Sequence, residues 1–513
     1  MLKKIFYWTL IISLIWSFNT DLVFAKTAIN NQSQSIQPYL EQFQSNVTEF
    51  TLDNNIKFIV MENKKAPIIS FVTYVDVGGV NEPDGQTGVA HFLEHLAFKG
   101  TPEIGTTNYE EEKVILDKLD QVFDEIKEAQ QANNQEKVAQ LTTQLEELNQ
   151  KASQFVKQNE FGEIVEIEGG VGLNAATSAD ATVYFYNFPA NKLELWMYLE
   201  SERFLNPVFR EFYMEKQVIL EERKLRTDNS AIGKMVEGFL DTAFTQHPYK
   251  RPVIGYETDI RNLTRQNIQD FFEAYYGGSN ITIAIVGDVN PQEVKTMAEK
   301  YFGRFPSSTK PSSVSIIEPK QTQTREVTIQ YPSQPIYMEG YHIPDLNHPD
   351  YIVYDIMGSI LSDGRTSRLY KSLVEDKKVA LTASGFTGFP GDKYPNLMLF
   401  YALSTPDRTL DELQTALHLE IEKLKTQPVN QEELERVKTQ AKASLLRGLN
   451  SNAGMARLLT EYQVKTGDWR NLFTNLDKIS AVMAEDIQRV AKETFTPENK
   501  TIGKLETIDI NIQ

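Results

Sequence analysis

The chain lacks cysteine, and it is short of basic residues and of histidine. With no cysteine among its 513 residues, disulfides are excluded, so the stability of an exported form cannot depend on oxidation. The 52 lysines and arginines against 70 aspartates and glutamates give a formal net charge of -18, which argues against nucleic-acid binding and favours basic peptides as ligands. Only six histidines are present, so a pair of them at metal-ligand spacing is informative.

Two of these histidines flank a glutamate in the sequence H-F-L-E-H. Residues i and i+4 lie on one face of a helix, so His91 and His95 can bind one metal ion while Glu94 lies beside it. The surrounding segment 89–98 is otherwise apolar, and buried polar side chains must be paired or bind a metal. H-x-x-E-H is the spacing of inverted zincins, in which a metal-activated water hydrolyses an amide. The pattern therefore predicts a metallopeptidase with Glu94 as the general base.

A later helical segment, residues 215–223, offers a third metal ligand. Glu215 and Glu222 are seven residues apart and share a helix face, whereas Glu221 is rotated by about 100° from Glu222 and is expected to face solvent. The spacing alone leaves Glu215 and Glu222 as competing candidates.

These motifs resemble the insulinase/pitrilysin family of inverted-zincin metallopeptidases, which includes the mitochondrial processing peptidase. The resemblance spans about residues 45–505 and includes the glycine-rich strand and acidic turn at 77–83. It implies that Glu222 is the third ligand, that Glu215 is a supporting acid near the metal, and that the cofactor is zinc. Two histidines and one carboxylate leave a fourth position open for water, so we expect one zinc ion per chain.

The resemblance also implies an activity and an architecture. We expect a zinc-dependent endopeptidase that hydrolyses peptides or unstructured polypeptide segments in an enclosed chamber. The chain is similar to the zinc-binding subunit of a processing peptidase, which forms one half-clamshell. The alternative is a catalytically incomplete or inactive subunit that binds peptides or supports assembly in a heterodimer.

A glycine-rich run at residues 169–178 precedes an alternating segment at 182–186. Glycines at a strand start allow another backbone to approach, and alternation predicts a strand. An exposed edge strand is a template for an extended peptide. The resemblance implies that Asn174 and Ala175 bind substrate on such a strand.

Composition divides the chain into five segments. Two lysines, an apolar run and V-F-A before residue 26 predict a signal peptide, so we expect an exported protein, periplasmic or secreted. An uncleaved membrane anchor is the alternative. A proline- and serine-rich stretch predicts an interdomain linker. The predicted segments are a signal peptide (1–25), a flexible leader (26–44), an N-terminal catalytic domain (45–304), a linker (305–321) and a homologous C-terminal domain without a metal site (322–513).

An internal repeat supports two homologous domains. Six positions between 268 and 283 recur 219 residues later. In an earlier register, displaced by 264 residues, Asp355, Gly358 and Ser359 replace the two histidines and the glutamate of the motif. We therefore predict an α+β fold of two α/β-sandwich domains, each with helices on one face of its sheet. The resemblance implies that the two domains together form the half-clamshell.

Residues 109–160 predict a helical hairpin inserted in the first domain. Apolar residues there alternate at spacings of three and four, with a polar turn at 131–135, which is typical of two antiparallel helices. We expect the two helices to satisfy each other's apolar positions. The insertion is either a stabilising element without chemistry or an arm that docks a partner or gates substrate.

The resemblance fails at one pair of residues. Family members carry an arginine and, seven residues later, a tyrosine that contact substrate, but here the two positions are Val374 and Leu381. Neither side chain can donate a hydrogen bond to a developing oxyanion. The resemblance therefore implies a second family subunit that supplies the pair in a heterodimer, and a homodimer is the less favoured alternative.

Overall fold

Two β-sheets organise the part of the chain that the structure describes. The computed structural model describes residues 43–508, so the predicted signal peptide (1–25) and the predicted leader as far as residue 42 lie outside the described residues. Within residues 43–508, no helix is long and apolar enough to cross a membrane.

The first sheet is built from the N-terminal half of the chain. Its strands are β1 (Val47–Thr51), β2 (Lys57–Glu62), β3 (Ile68–Val75), β4 (Val171–Thr177), β5 (Thr182–Pro189) and β6 (Ile281–Gly287). They lie in the order β1-β2-β6-β3-β5-β4, with β2 and β6 parallel and the other neighbours antiparallel. β6 reads I-T-I-A-I-V-G and is buried throughout, because β-branched residues suit a strand that is covered on both faces. β4 lies at one edge.

The second sheet repeats this topology without β1. Its strands are β7 (Arg325–Tyr331), β8 (Ile336–Ile343), β9 (Ala380–Phe389), β10 (Asn396–Ser404) and β11 (Lys500–Thr507). Their order is β7-β11-β8-β10-β9, and β7 and β11 are the parallel pair. The strands β2, β6, β3, β5 and β4 therefore correspond to β7, β11, β8, β10 and β9.

Helices surround both sheets. Those of the N-terminal half are α1 (Val89–Leu96), α2 (Tyr109–Gln131), α3 (Gln135–Ser153), α4 (Glu160–Ile167), α5 (Leu193–Leu205), α6 (Phe212–Arg223), α7 (Ala231–Ala243), α8 (Glu257–Asn262), α9 (Arg265–Tyr275) and α10 (Pro291–Tyr301). Those of the C-terminal half are α11 (Tyr351–Ser362), α12 (Leu410–Thr426), α13 (Gln431–Gly448), α14 (Asn452–Thr466), α15 (Asn471–Ala481) and α16 (Ala484–Thr494).

The predicted duplication is present in three dimensions. Helix α9 and strand β6 begin 219 residues before α16 and β11. Asn280 in the first half donates its side-chain N–H to the carbonyl oxygen of Tyr275 at 2.9 Å, and Asn499 donates in the same way to Thr494 at 3.1 Å. The two halves thus share the helix-to-strand connection as well as the strand order.

Each half contributes one helix to the sheet of the other half. α7 packs on β7 and β11 of the second sheet, and α14 packs on β3 and β6 of the first. Glycines make room for α7: an added Cβ would lie 2.5 Å from Met235 at Gly503 and 2.9 Å from Phe239 at Gly340. The prediction of helices on only one face of each sheet is therefore wrong, because a helix of the opposite half covers the second face.

The predicted hairpin is present as α2 and α3, but it is not self-contained. Its buried apolar residues belong to the main core of the N-terminal half. Glu112 of α2 forms a fully buried ion pair with Arg210, with Nε and Oε1 2.9 Å apart, and Tyr213 of α6 donates to Asp120 at 2.8 Å. The expectation that the hairpin satisfies its own apolar positions is wrong, because α2 also packs on the segment that contains α6.

We expect Glu112→Gln to lower the free energy of unfolding by about 3–5 kcal/mol, because it leaves the Arg210 guanidinium buried without a counter-charge. Urea unfolding followed by circular dichroism measures the change. Glu125→Gln, on an exposed position of the same helix, is the matched control and should change stability little. Equal stabilities of the two variants would contradict the structural role of this ion pair.

The predicted linker contains no helix or strand from residue 306 to residue 324. It is nevertheless attached to the N-terminal half, because the Glu318 carboxylate accepts hydrogen bonds from the backbone N–H groups of Thr245, Gln246 and His247 at 2.8–3.0 Å.

Candidate metal centre

Helices α1 and α6 bring the predicted metal ligands together. α1 begins after Gly88, whose φ of 87° favours glycine, and it ends at Leu96, two residues before the end of the apolar segment. Its Phe92 ring stacks on Phe212 at the start of α6, with ring centroids 4.7 Å apart. This contact joins the two helices on their apolar sides, while His91 and His95 lie on the side that meets Glu222.

The donor atoms of these three residues converge. Nε2 of His91 lies 3.8 Å from Oε1 of Glu222, and Nε2 of His95 lies 3.6 Å from Oε2 of the same carboxylate. Within residues 43–508, His91, His95 and Glu222 are the one group of at least three histidine, aspartate or glutamate side chains whose possible metal-donor atoms all lie within 4.8 Å of one another. Ligands about 2.0–2.1 Å from one tetrahedral ion are about 3.3 Å apart, so the set fits a metal with small adjustments.

Electrostatics differ between the two histidines. Burial and the neighbouring His95 lower the pKa of His91 to about 3, which keeps its imidazole neutral, the form that binds metals. Burial opposes protonation of His95, but Glu215 and Glu222 outweigh it and raise the pKa of His95 above its ordinary value. These carboxylates favour a cation at the site.

The predicted supporting acid, Glu215, is placed behind the histidines. Its Oε1 accepts a hydrogen bond from Nδ1 of His95 at 2.8 Å, and its Oε2 lies 2.7 Å from the Lys99 ammonium. Burial would raise the pKa of Glu215, but these two contacts lower it to about 2, so the carboxylate is ionised. Helical spacing left Glu215 and Glu222 as competing candidates for the third ligand, and their positions in the structure differ. Glu222 faces the Nε2 atoms of both histidines, whereas Glu215 faces Nδ1 of His95. Glu221, as expected, is exposed.

Glu94 adjoins the edge strand of the first sheet. The Thr177 hydroxyl, in the last residue of β4, donates to Oε2 of Glu94 at 2.6 Å. Burial raises the pKa of Glu94, and the Thr177 hydrogen bond opposes the rise. The carboxylate is therefore both oriented and more readily protonated than one in water. Thr177 could not be predicted from the sequence, because no spacing links a strand residue to a helix residue 83 positions earlier.

The predicted substrate strand is β4, and one of its edges is unpaired. In the described part of the chain β4 pairs only with β5. Asn174 is exposed and Ala175 is half-buried, and the Asn174 side chain accepts a hydrogen bond from the Ala175 N–H at 2.9 Å. The backbone of β4 is thus available to an extended chain next to Glu94.

Three charged residues surround the centre without having been predicted. Lys99 contacts Glu211 at 3.1 Å as well as Glu215, and Arg226 lies 2.9 Å from Oε1 of Glu222. A cavity of about 330 Å³ opens beside Lys99 and Glu211. Its lining residues are Glu94, His95, Phe98, Lys99, Val156, Lys157, Gln158, Asn159, Glu160, Glu211 and Glu215. Lys99, Glu211 and Arg226 are each four residues from His95, Glu215 or Glu222, a spacing that could have identified them.

The C-terminal half, as far as residue 508, has no corresponding site. Asp355, at the position of His91, is half-buried and accepts a hydrogen bond from the Thr387 hydroxyl, and desolvation of its carboxyl raises the pKa of Asp355 to about 6. Val374 is partly buried against the core of this half, and Leu381 is half-exposed on the edge strand β9. Neither offers a hydrogen-bond donor.

Comparison with known proteins identifies the family. A family model described as Insulinase (Peptidase family M16) matches residues 57–117 and 132–257, and one described as Peptidase M16 inactive domain matches residues 262–441. The chain is 30% identical over 484 residues to "Zinc protease PqqE" of Helicobacter pylori, which covers 91% of this chain and 94% of the relative. It is 24% identical over 477 residues to "Probable mitochondrial-processing peptidase subunit beta" of Schizosaccharomyces pombe, with 90% and 91% covered.

A solved structure shares the fold over nearly the whole described range. The crystal structure of a protease from Helicobacter pylori matches with a TM-score of 0.76 at 28% identity, covering 90% of this chain and 99% of that one. The family models, the curated relative and this likeness together show that the chain belongs to the insulinase family of peptidases, family M16.

Proposed function

We propose that the protein is a zinc-dependent endopeptidase that hydrolyses peptides or unstructured polypeptide segments. One observation carries the proposal: the donor atoms of His91, His95 and Glu222 converge next to a carboxylate, Glu94, that is oriented by Thr177 of the edge strand β4. Two histidines and one carboxylate are a ligand set of catalytic zinc sites, which keep an open position.

The side chains around this position have separable roles. Bound zinc would lower the pKa of a water molecule to about 7 and polarise the substrate carbonyl. Glu94 would accept a proton from that water and pass it to the leaving amine, and its raised pKa suits both transfers. Thr177 orients the carboxylate, and β4 would hold an extended substrate by main-chain hydrogen bonds. Main-chain pairing with this edge requires the bound segment of the substrate to be extended.

The ligand assignment predicts an order of metal loss. We expect Glu222→Ala to reduce zinc binding by well over 100-fold, because it removes a ligand, and Glu215→Ala to reduce it by about 10- to 100-fold, because it removes only a partner of a ligand. Metal analysis after gel filtration, combined with chelator competition, measures both. Glu221→Ala is the control on the same helix. The reverse order would assign the third ligand to Glu215.

We further propose that a second family subunit completes the active site. Val374 and Leu381 cannot donate to an oxyanion, the C-terminal half matches the inactive-domain model, and a relative is named as a subunit of a processing peptidase. An enclosed chamber also requires a second half-clamshell. The competing possibility, an inactive subunit for peptide binding or assembly, predicts no hydrolysis with any partner.

A complementation assay tests the shared site. The purified chain should bind zinc yet cleave unstructured peptides about 10²- to 10³-fold more slowly than the complete enzyme, because an oxyanion donor is missing. Adding a related subunit that lacks H-x-x-E-H but carries the arginine and tyrosine should restore the rate. Full activity of the chain alone, with no gain from Val374→Arg combined with Leu381→Tyr, would refute the shared site and leave the zinc assignment intact.

A further inference from the structure

Glu211 has an unusual conformation at the beginning of the ligand helix α6. It is the residue before the first helical position, with φ 57° and ψ 18°, in the left-handed region that favours glycine or asparagine. Its carboxylate makes no capping hydrogen bond to the helix. A residue held in such a sparsely populated conformation points to a contact elsewhere.

That contact leads to the candidate metal ligand His95. Oε2 of Glu211 lies 3.1 Å from the Lys99 ammonium, and Lys99 in turn lies 2.7 Å from Oε2 of Glu215. The other oxygen of Glu215 accepts the hydrogen bond from Nδ1 of His95. Lys99 is therefore held between two carboxylates, one of which orients the imidazole.

The hairpin insertion supplies the far end of this series of contacts. The Gln158 side chain donates to Oε1 of Glu211 at 2.7 Å. Gln158 belongs to the segment that follows α3, and this segment is fixed to residues 105–107 by backbone hydrogen bonds from Thr107 to Phe155 at 2.8 Å and from Lys157 to Gly105 at 3.1 Å. Gln158 thus approaches Glu211 from a fixed backbone.

We propose that Glu211, held by Gln158 of the hairpin insertion, is a positioning residue for His95 and acts through Lys99 and Glu215. The proposal rests on the proposed zinc site. Partners of metal-bound histidines set the ring orientation and basicity, and their loss weakens metal binding by about 10- to 100-fold. The side chains of Glu211 and Lys99 are only 10% and 23% exposed, so solvent screens this ion pair less than an ordinary surface pair.

The left-handed conformation makes a decisive variant available. Glu211→Gly removes the carboxylate and also relieves the backbone strain, so it separates a positioning role from a structural one. We expect about 10-fold weaker zinc binding by chelator competition, together with an unchanged or higher melting temperature of the zinc-free protein. Glu211→Gln, which keeps an acceptor oxygen but loses the charge, should weaken binding less, and Gln158→Ala should weaken it least.

Matched controls isolate the effect. Asp407→Gly replaces an acidic residue that also has positive φ, 66°, in an exposed loop of the C-terminal half, and it should leave zinc affinity unchanged. Glu221→Gln removes one negative charge from the exposed face of the ligand helix and should also have no effect.

The outcomes distinguish the two levels of the proposal. A wild-type chain that binds zinc together with a folded Glu211→Gly variant of equal affinity would overturn the positioning role alone. Failure of both Glu211 variants to fold would also overturn it, because Glu211 would then be required for the fold. A wild-type chain that binds no zinc would overturn the proposed function and this proposal together.

Discussion

Glu94→Gln should abolish peptide hydrolysis while the chain retains its zinc. Glutamine has the shape of glutamate and can accept the Thr177 hydrogen bond through its amide oxygen, but it cannot take a proton from water at neutral pH. General acid–base catalysis contributes about 10²- to 10⁴-fold, and Glu94 is proposed to act in both proton transfers, so we expect a loss near the upper end. Rates on an unstructured peptide, with metal content measured on the same sample, test this.

Measuring the zinc content of Glu94→Gln distinguishes loss of the general base from loss of the metal. Glu94 is not among the three converging donors, so zinc content should equal that of the wild type. Thr177→Val should lower the rate less than Glu94→Gln, because it removes the orientation of the carboxylate but not the carboxylate itself. Loss of zinc in Glu94→Gln with unchanged activity per bound zinc would assign the base to another residue.

Neither half of the chain should fold when it is produced alone. Residues 44–304 without α14 leave one face of β3 and β6 uncovered, and residues 322–508 without α7 leave one face of β7 and β11 uncovered. Met235, Phe239 and Leu240 of α7 are buried, and at about 1.5–3 kcal/mol each their loss is comparable to the whole stability of a typical domain, about 5–15 kcal/mol. We expect insoluble or molten fragments, recognised by dye binding and non-cooperative unfolding.

Two further samples make this experiment decisive. Co-expressed halves should form a soluble complex, because each supplies the helix that the other lacks. A full chain cut at an engineered protease site near residue 311, which lies within the segment that has no helix or strand, should remain associated and cooperative. A separately produced N-terminal half that unfolds cooperatively would show that α14 is dispensable for the first sheet.

Local patterns in the sequence, together with the family resemblance, predicted which side chains converge at the candidate metal centre. The i, i+4 spacing of His91 and His95 places both rings on one side of a single helix, so no tertiary information is needed to predict that they lie close together. In the same way, a seven-residue spacing placed Glu215 and Glu222 on one helix face. The family resemblance favoured Glu222 over Glu215 as the third ligand. The structure agrees with this choice, since only Glu222 faces the Nε2 atoms of both histidines. The duplication predicted the second sheet from repeated residues alone.

What the sequence could not supply were partners between distant segments. The periodicity of α7 shows that one face is apolar, but it does not say which sheet that face covers. Glu112 was overlooked because a charged residue in a helical pattern indicates solvent, whereas its partner Arg210 lies 98 residues away. Thr177 was missed for the same reason. Each of these contacts depends on how distant segments pack together, and the periodicity of a single segment does not determine that packing.

The exchange of helices between the halves has a consequence for the order in which the protein matures during synthesis. Every proposed zinc ligand has been synthesised by residue 222, but the sheet behind these ligands stays uncovered on one face until α14, which ends at Thr466, has also been made. A nascent chain shorter than this carries the whole ligand set on an incomplete scaffold. We therefore expect stable zinc binding only from nearly full-length chains, because a shorter product lacks the helix that covers the sheet behind the proposed ligands.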